Sequence, residues 1–224
     1  MKIVALLPIK SNSDRVKDKN FKKFGDKPLF HWMLETLNNI PEISEIIINT
    51  DAKDKLVSLG LVEDNRVKLR KRKSKICGDH VSMNLIIKDD IDNVDGDIFI
   101  QTHVTNPLLT KSSIEKAISI FKNALEKNEA DSLFAVNKIQ KMLYDENGTP
   151  VNHDPTNLIR TQDLKPLYED NSNMYLFTKE SFNKSNARIG VNPIMFETSF
   201  LESTDINTIE DWNLAEIKLQ FWKK

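Results

Sequence analysis

The stretch Ile3-Val-Ala-Leu-Leu-Pro-Ile-Lys10, followed by the polar segment Ser11-Asn-Ser-Asp-Arg-Val-Lys-Asp-Lys-Asn20, decides the fold. The unbroken apolar run from Ile3 to Leu7 predicts a strand buried on both faces, which is typical of a parallel sheet covered by helices. Pro8 ends this run. The polar segment is therefore expected at the carboxyl end of a strand, where open α/β sheets bind their ligands.

The same pattern continues along the chain. Further apolar runs predict strands at Glu45–Asp51, Val67–Leu69, Asp97–Gln101, Asp131–Val136 and Met174–Phe177. Apolar residues with helical spacing lie between them at 29–37 and 114–125, and Ser112 with Glu115 predicts a capping box for the second helix. This alternation predicts an α/β fold with a mostly parallel, doubly wound sheet. Its ligand crevice is expected in the loops after the first, second and fourth strands.

The remaining segments suggest how the chain is organised. A length of 224 residues predicts a single domain over residues 1–224. The polar segment 138–165 has no long helical period, so we expect a protruding insertion with short strands there rather than a second domain. A final helix is predicted from Thr208, its cap, to Trp222. Its apolar stripe is expected to pack in the core or against a subunit, and consists of Trp212, Ala215, Leu219 and Trp222.

Composition excludes several classes of protein. Lys and Arg number 32 against 33 Asp and Glu, and the formal charge of −1 gives no general attraction to nucleic acid or to an acidic membrane. Cys77 is the only cysteine, which excludes an intrachain disulfide framework and favours a cytoplasmic location. The first apolar run is too short for a signal peptide, and no run approaches the ~20 apolar residues of a membrane helix.

The polar loop after the first strand is cationic, with six Lys and Arg against two Asp within 14 residues. It predicts a triphosphate site, because Lys10, Arg15 and Lys19 offset phosphate charge while Ser11, Ser13 and backbone N–H groups donate hydrogen bonds. The sequence contains neither G-x-x-x-x-G-K-[ST] nor G-x-G-x-x-G, so a P-loop ATPase or a standard dehydrogenase is not expected. A solvated surface loop is the alternative.

A second basic cluster, Arg66–Lys75, holds seven cations and no acid in ten residues. Taken alone it suggests RNA binding. The neutral chain and the scarcity of aromatic residues around the cluster favour a solvated strand edge instead. RNA binding stays open as an alternative, and we expect no nucleic acid partner.

Candidate metal ligands are oxygen donors, because one cysteine and four dispersed histidines offer no zinc spacing. Asp205 and Asn207 precede the final helix and, as alternate residues of an extended segment, can project to the same side. Mg²⁺ needs only one or two protein carboxylates when phosphates and water complete its coordination. Helix capping by Asp205 is the alternative, and Asp51 after the second strand is equally explained as a turn residue.

Several motifs in order carry a family resemblance: LLPIKSNSDRVKDKNFKKFGDKPLFHWMLETL, IIINTD, RKSKICGDHVSMN, QTHVTNPLLT, LYEDNSNMYLF and DINTIEDW. From Ile3 to about Leu214 the chain resembles the acylneuraminate cytidylyltransferases, the CMP-sialic acid synthetase family. The resemblance implies a nucleotidyltransferase fold of Rossmann-like type, CTP and a 2-keto sugar acid as substrates, and a CMP-sugar and pyrophosphate as products. It also implies Mg²⁺ as cofactor and a homodimer in which the insertion reaches toward the partner's site.

Site residues follow from the loop chemistry and from the positions that match the family. The residues assigned to catalysis are Lys10, Arg15, Lys19 and Asp205. The nucleotide-binding residues are Lys10, Ser11, Ser13, Arg15, Lys19, Asn20, Arg72, Asp79 and Ser82. The sugar-binding residues are Gln101, Arg160, Asn171 and Tyr175. The metal ligands are Asp205 and Asn207.

The chain also departs from the family pattern. Ser13-Asp-Arg15 stands where Ser-Lys-Gly is usual, His103-Val104 alters the Gln-Pro-Thr-Ser-Pro stretch, and Ser172 replaces a glycine. Asn207 replaces the second carboxylate of an Asp-x-Asp pair, which weakens the hold on a hard cation. Other acceptors therefore stay open: 3-deoxy-manno-octulosonate, legionaminic or pseudaminic acid, or a phosphonate. A non-catalytic nucleotide-sugar binding protein is the alternative from another class.

Overall fold

The computed structural model describes residues 1–222 and the side chains of residues 1–221. The strands are β1 (Ile3–Leu6), β2 (Lys23–Phe24), β3 (Lys27–Pro28), β4 (Ile43–Thr50), β5 (Val67–Lys71), β6 (Ile98–Thr102), β7 (Ser132–Ile139), β8 (Leu167–Phe177) and β9 (Pro193–Glu197). The helices are α1 (Leu29–Asn38), α2 (Lys53–Ser58), α3 (Met83–Asn93), α4 (Lys111–Glu126), α5 (Lys179–Ser185) and α6 (Ile209–Trp222). Seven strands form one sheet in the order β5-β4-β1-β6-β8-β7-β9, and β2 pairs with β3 as a small hairpin.

Helices cover both faces of this sheet, as the apolar runs predict. Successive residues of β1 belong to different cores: Ile3 and Ala5 pack with residues of α1 and α4. Val4 and Leu6 pack on the other face with residues of α3 and α5. Every residue of β1 is buried, so burial on both faces explains why the run contains no polar residue. The doubly wound α/β fold is confirmed.

The carboxyl ends of the parallel strands meet at one edge. Leu6, the last residue of β1, pairs with Ile47 of β4 on one side and with Gln101 of β6 on the other. The chain continues beside β4 after β1 ends, since the Ile9 N–H donates to the Asn49 carbonyl at 3.0 Å. The Arg72 N–H after β5 donates to the Thr50 carbonyl at 2.8 Å. The loops after β1, β4, β5 and β6 therefore line one edge of the sheet.

The other half of the sheet is antiparallel around β8, which lies between β6 and β7 and runs opposite to both. β9 returns parallel to β7 at the outer edge. The register of β7 and β8 shifts between Phe134↔Tyr175 and Val136↔Asp170, so that two steps along β7 face five steps along β8. Ser172 lies in this bulge with φ of 58°, in the left-handed region that favours glycine. The bulge redirects β8 beside the edge where the loops meet.

Helix α6 packs against the hairpin of β2 and β3. Its residues Trp212, Ala215 and Leu219 are buried in a third core with Phe24 and Leu29. The predicted apolar stripe is thus core packing, apart from Trp222, whose side chain lies outside the described part. The capping residue is confirmed. The Asp211 N–H donates to the Thr208 hydroxyl oxygen at 3.2 Å, and the Thr208 N–H donates to the Asp211 carboxylate at 2.8 Å.

The predicted capping box of α4 is wrong. The cap is Thr110, whose hydroxyl oxygen accepts the Ser113 N–H at 3.1 Å. Ser112 lies inside the first turn instead, because α4 begins at Lys111. Glu202 anchors this cap from a distant part of the chain by accepting the Thr110 hydroxyl at 2.5 Å. This tertiary contact, which the local sequence does not show, fixes Thr110 as the cap.

The segment 138–165 contains loops rather than the expected short strands. Residues 138 and 139 belong to β7, and beyond them the segment has an isolated bridge between Tyr144 and Pro150 and one 3₁₀ turn at Thr161–Asp163. Its turns are held by local hydrogen bonds, which polar residues supply without a core. Within residues 1–222, no helix combines the length and apolar character needed to cross a membrane.

Candidate functional site

The loop after β1 is fixed by its own polar residues at the edge where the strand ends meet. Ser11 donates both its backbone N–H and its hydroxyl to the carboxylate of Asp51, at 2.7 and 2.9 Å. The Asn20 side-chain amide donates to the Lys10 carbonyl at 2.9 Å, which closes the loop. Asp18 has φ of 55°, and Lys55 pairs with its carboxylate and lowers its pKa. Asp51 and Asn20 thus hold the loop in one conformation.

The cations of this loop point toward the segment before α6. Arg15 donates to the Asn207 side-chain oxygen at 2.7 Å, and Lys19 donates to the Ile206 carbonyl at 2.6 Å. Lys19 is only 7% exposed. Burial lowers the pKa of its ammonium, and the nearby charge of Asp205 opposes that effect. Two segments separated by nearly 190 residues therefore form one cationic and acidic cluster.

Asp205 and Asn207 lie side by side in this cluster. One Asp205 oxygen, Oδ2, accepts the Asn207 side-chain amide at 2.6 Å. The other, Oδ1, is buried and accepts no hydrogen bond from a described residue. The Asp211 carboxylate accepts the Asn207 N–H at 3.0 Å and so fixes the backbone between them. A buried carboxylate oxygen with no partner is costly unless a cation or donor fills the position.

The predicted nucleotide-binding residues beyond the loop have mixed surroundings. Lys10 forms an ion pair with Asp79 at 2.6 Å, which lowers the pKa of that carboxyl. Ser82 caps α3 by accepting the Asn84 N–H at 3.3 Å. Ser13 lies in the loop between Lys10 and Arg15. The segment that contains Asp79 and Ser82 thus lies beside the loop, and Lys10 joins the two.

Arg72 is buried and supports the strand ends from within. Its guanidinium donates to the Asn49 side-chain oxygen at 2.9 Å and to the Asn49 carbonyl at 2.8 Å. Burial lowers its pKa. Asn49 in turn donates to the carboxylate of Asp90 on α3 at 2.7 Å, and burial raises the pKa of Asp90 to about 6. Sequence reasoning missed Asn49 and Asp90, since neither belongs to a local motif.

The basic cluster Arg66–Lys75 is largely used within the chain. Arg66 donates to the carbonyl of Asn38, and Arg70 forms ion pairs with Asp89 and Asp90. These contacts, together with the internal hydrogen bonds of Arg72, tie the edge strand β5 to α1 and α3. The structure therefore supplies a fold-based reason for this run of positive charge.

The predicted sugar-binding residues Gln101 and Tyr175 are neighbours across β6 and β8. Tyr175 is fully buried and donates its hydroxyl to the Asp170 carboxylate at 2.6 Å. Burial raises its pKa to about 12. Arg188, which sequence reasoning missed, stacks on the Tyr175 ring at 3.6 Å and donates to the Gln101 side-chain oxygen at 2.6 Å. Its position depends on the pairing of β6 with β8, so no local signal marks it.

Asn171 and Arg160 differ in their placement. Asn171 lies in the bulge of β8 and donates to the side-chain oxygens of Thr198 and Asn137, at 2.7 and 3.0 Å. Arg160 lies on the exposed segment before β8. Its side chain is 72% exposed and forms an ion pair with Asp163 at 2.7 Å. Asn171 is therefore held in the β8 bulge, whereas Arg160 lies at the surface.

Two cavities are lined by residues of the loop after β1 and of the segment 205–207. A cleft of about 360 Å³ opens between the β8 bulge and α6, and its lining includes Asn171, Ser172, Asp205 and Asn207. A smaller cavity of about 120 Å³ is lined by Pro8, Lys10, Lys19, Asn20, Met83, His103, Val104 and Thr105. The hydrogen bond from Lys19 to Ile206 joins the walls of the two cavities. The loop cations and Asp205 thus each line a cavity.

A doubly wound sheet with a cationic loop after its first strand, facing an acidic segment, defines the class of nucleotide-binding α/β proteins. Within that class the chain belongs to the cytidylyltransferase family, whose family model matches residues 4–218. The match covers nearly the whole chain, so the resemblance of the opening motifs to cytidylyltransferases is confirmed.

Named relatives are similar at low identity. The chain is 25% identical to the pseudaminic acid cytidylyltransferase of Campylobacter jejuni, over 97% of this chain and 96% of that protein. It is 24% identical to a Helicobacter pylori protein named pseudaminic acid cytidylyltransferase and UDP-2,4-diacetamido-2,4,6-trideoxy-beta-L-altropyranose hydrolase. That alignment covers 100% of this chain and only 44% of the relative. The N-acylneuraminate cytidylyltransferase of Streptococcus agalactiae is 22% identical over 95% of this chain and 52% of its own length.

Solved structures support the fold. The CMP:2-keto-3-deoxy-manno-octonic acid synthetase complexed with CTP has a TM-score of 0.66 at 13% identity, covering 100% of this chain and 99% of that one. The 4-diphosphocytidyl-2C-methyl-D-erythritol synthase of Anaerococcus prevotii has a TM-score of 0.67 at 16% identity, covering 98% and 96%. The chain thus has the nucleotidyltransferase fold.

Proposed function

We propose that this chain transfers CMP from CTP to a 2-keto sugar acid and releases pyrophosphate. The observation that carries the proposal is the contact of the cationic loop with the segment 205–207. Lys19 and Arg15 reach this segment at 2.6 and 2.7 Å, next to the Asp205 carboxylate, whose Oδ1 is buried. A triphosphate requires cations along its length and an oxygen ligand for its metal, and this cluster supplies both.

Lys10, Arg15 and Lys19 hold the triphosphate in this proposal. The ion pair of Lys10 with Asp79 is half-exposed on both sides, so solvent screens it and a phosphate competes readily for the lysine. Lys19 is buried and held by the Ile206 carbonyl, which makes it a fixed positive charge in a region of low dielectric. Ser11, Ser13, Asn20 and the loop backbone supply polar contacts around these cations.

The reaction needs positioning and charge neutralisation more than covalent help. The anomeric hydroxyl of the acceptor attacks the α-phosphorus of CTP in line and gives up its proton to water. The bond between the α-phosphorus and the oxygen that bridges to the β-phosphate breaks as pyrophosphate leaves. Negative charge builds up on the leaving oxygens, close to Lys10, Arg15 and Lys19. Because these cations are in place before the reaction, they stabilise that charge without reorganisation.

Asp205 with Asn207 fits a magnesium ion. The buried, unpartnered Oδ1 of Asp205 is an oxygen available to a cation. Within residues 1–222, no group of three or more acidic, histidine or cysteine side chains is placed to hold a metal by itself, so the protein would supply only one or two ligands. Such a donor set matches Mg²⁺, which takes one or two protein oxygens when phosphates complete its coordination. When bound, Mg²⁺ lowers the charge of the α-phosphate and the pKa of the attacking hydroxyl. Asn207 positions Asp205 through its side-chain amide.

Cytosine binds beside Arg72 and the segment 79–82 in this proposal. Arg72 acts as a positioning residue, since its guanidinium is bound to Asn49 and to the Ile9 carbonyl. Backbone donors and acceptors of the segment 79–82 then read the base. A wrong base would leave these groups unpaired, which lowers kcat/KM by up to ~10⁴-fold in sites of this kind.

The relatives suggest which acceptor to test first. The Campylobacter jejuni protein that matches this chain from end to end is named for pseudaminic acid, and other relatives are named for N-acylneuraminate. We propose a sialic-acid-like 2-keto sugar acid as acceptor. The test measures acceptor-dependent pyrophosphate release from CTP, with pseudaminic, legionaminic and N-acetylneuraminic acids, 3-deoxy-manno-octulosonate and a phosphonate. Release with none of the sugar acids contradicts the proposal.

A non-catalytic nucleotide-sugar binding protein is the second candidate. One observation favours it: the Asn207 side-chain oxygen is taken up by Arg15, and Asn207 brings no charge to the metal site. Calorimetry with CTP separates the two candidates. Tight CTP binding without pyrophosphate release for any acceptor in the panel supports the binding protein, whereas turnover with one sugar acid excludes it.

We also propose a homodimer and a cytoplasmic location. The insertion carries exposed apolar side chains that water does not favour, namely Tyr144, Val151, Leu158 and Ile159. A second copy of the chain is the partner that the resemblance implies for this surface. Multi-angle light scattering gives the mass, and a monomer at micromolar concentration contradicts the dimer. The single free cysteine, Cys77, suits a reducing compartment.

A further inference from the structure

His103 is the first residue after β6, and it lines the small cavity of about 120 Å³. Lys10 and Lys19 line the same cavity, and no described residue in its wall is acidic. A cavity with two ammonium groups and no carboxylate suits an anion. The charge and the hydrogen-bonding direction of the imidazole depend on its neighbours, so these decide what His103 offers to such an anion.

Arg188 determines the tautomer of His103 through Gln101. A guanidinium only donates hydrogen bonds, so the Gln101 atom that accepts from Arg188 Nη1 at 2.6 Å is the side-chain oxygen. The other end of this side chain is then the amide nitrogen, which donates to the Thr102 carbonyl at 2.9 Å and contacts His103 Nε2 at 3.0 Å. Arg188 Nη1 contacts the same Nε2 at 3.2 Å. Because both neighbours are donors, Nε2 accepts, and we assign the proton of the neutral ring to Nδ1.

His103 is neutral in these surroundings. Burial and the positive charges of Arg188 and Lys19 lower its pKa to about 3. Such a group is a weak base, and its basic nitrogen Nε2 is already engaged by two donors, so it does not take a proton from the acceptor hydroxyl. The ring retains a donor instead. Nδ1 has no hydrogen-bond partner among residues 1–222 and, unlike the ring nitrogens of His153, it is not enclosed by protein.

We propose that His103 donates its Nδ1–H to a phosphate oxygen of CTP that is held between Lys10 and Lys19. The inference rests on the function proposed above and names a further catalytic residue for it. Nε2 faces Gln101 and Arg188, which do not line the cavity, so the Nδ1 side of the ring is the part that lines it.

A neutral donor adds a directed hydrogen bond beside Lys10 and Lys19 without adding a third charge that would repel them. These lysines neutralise the leaving pyrophosphate in the proposed reaction. The hydrogen bond from His103 therefore strengthens as negative charge grows on that group, while the proton stays on Nδ1.

Two conservative variants separate the roles of the two ring nitrogens. The amide of asparagine reaches the position of Nδ1, whereas the amide of glutamine reaches that of Nε2. His103→Asn therefore keeps a donor toward the cavity, and His103→Gln keeps the contacts with Gln101 and Arg188 but has no donor at Nδ1. With the acceptor that gives turnover, His103→Gln is expected to lower kcat about 100-fold and His103→Asn less than about 10-fold. The KM for CTP should change by less than about fivefold in both variants, since the loop cations remain.

The position of the proton is measured directly by ¹⁵N NMR of protein labelled at histidine. Comparison with His103→Gln or His103→Asn identifies the signals of His103 among the four histidines. Between pH 6 and 8 we expect a protonated Nδ1 and an unprotonated Nε2, and addition of CTP or inorganic pyrophosphate should shift the Nδ1 signal. A proton on Nε2, a doubly protonated ring, or no shift with either ligand overturns the proposal.

His31→Gln is the matched control, because His31 lies on α1 and contacts the Leu59 carbonyl through Nε2, a contact that glutamine keeps. It should leave kcat and the KM for CTP unchanged. A purely structural role of His103 predicts the reverse order of its two variants, with His103→Gln close to wild type and His103→Asn impaired, and that result contradicts the proposal. Absence of turnover with every acceptor refutes the proposed function but not this contact, and the NMR titration with CTP then decides it.

Discussion

Replacing Asp205 by Asn tests the centre of the proposed reaction. The substitution keeps the shape of the side chain and an oxygen for the Asn207 amide, while it removes the charge at the buried Oδ1. Folding should be nearly unaffected, because Oδ1 makes no hydrogen bond with a described residue. Turnover should fall about 100- to 1000-fold, the usual loss when one group that stabilises transition-state charge is removed. CTP affinity should change by less than about fivefold, since Lys10, Arg15 and Lys19 remain.

The same substitution has a second consequence for pH dependence. The charge of Asp205 opposes the burial that lowers the pKa of Lys19. Without that charge the Lys19 pKa falls further, so activity that needs the protonated lysine is lost at a lower pH on the alkaline side. Initial rates of pyrophosphate release between pH 6 and 10 measure this shift. Asn207→Asp is the matched change in the opposite direction, and it should lower the Mg²⁺ concentration for half-maximal rate. Turnover of Asp205→Asn within about threefold of wild type, at saturating Mg²⁺ and CTP, would refute the reasoning.

Three further changes test the loop, a buried acid and a helix cap. Lys10→Ala should weaken CTP binding about 10-fold and lower the rate, and an unchanged calorimetric affinity removes Lys10 from the site. Burial raises the pKa of Asp90 from 3.8 to about 6, so its native-state penalty is present at pH 7 and disappears on acidification toward pH 4. The free energy of unfolding of the wild type relative to Asp90→Asn should therefore rise by roughly 2 kcal/mol between those pH values in urea titrations. A constant difference contradicts the burial of that charge. Thr110→Ala should cost about 1–2 kcal/mol and Ser112→Ala less than about 0.5 kcal/mol in the same assay, and equal costs contradict the assigned cap.

The parallel half of the sheet was predictable because its strands are buried on both faces. Such strands are continuous apolar runs, as in β1, and each run predicts its element without knowledge of its neighbours. β9 lacked that signal. Its residues Ile194 and Phe196 are partly buried and alternate with exposed positions at the sheet edge. The outer end of β8, from Leu167 to Asn171, is polar and mostly exposed, and it pairs with β7 alone.

The site residues also differ in whether the local sequence marks them. The cationic loop and Asp205 could be predicted because each adjoins a strand or helix end that the sequence marks. Arg188 and Thr198 could not, since their place depends on β8 running antiparallel between β6 and β7. Asp90 could not either, because an acid within an amphipathic helix is indistinguishable from a solvated one until the register of α3 is known.

The bulge of β8 separates the residues assigned to the sugar from those assigned to CTP. The residues assigned to CTP come from loops of the parallel half, whereas Gln101 is reached from β8 and the loop beyond it. Three extra residues at the bulge, with Ser172 in a glycine-like conformation, lie on a strand that is separated from β1 by β6. Substitution of the residues around Ser172 is therefore expected to change the specificity for the acceptor sugar while the CTP-binding residues stay in place. Related chains that use different acceptor sugars should therefore differ mainly in the antiparallel part of the sheet around β8.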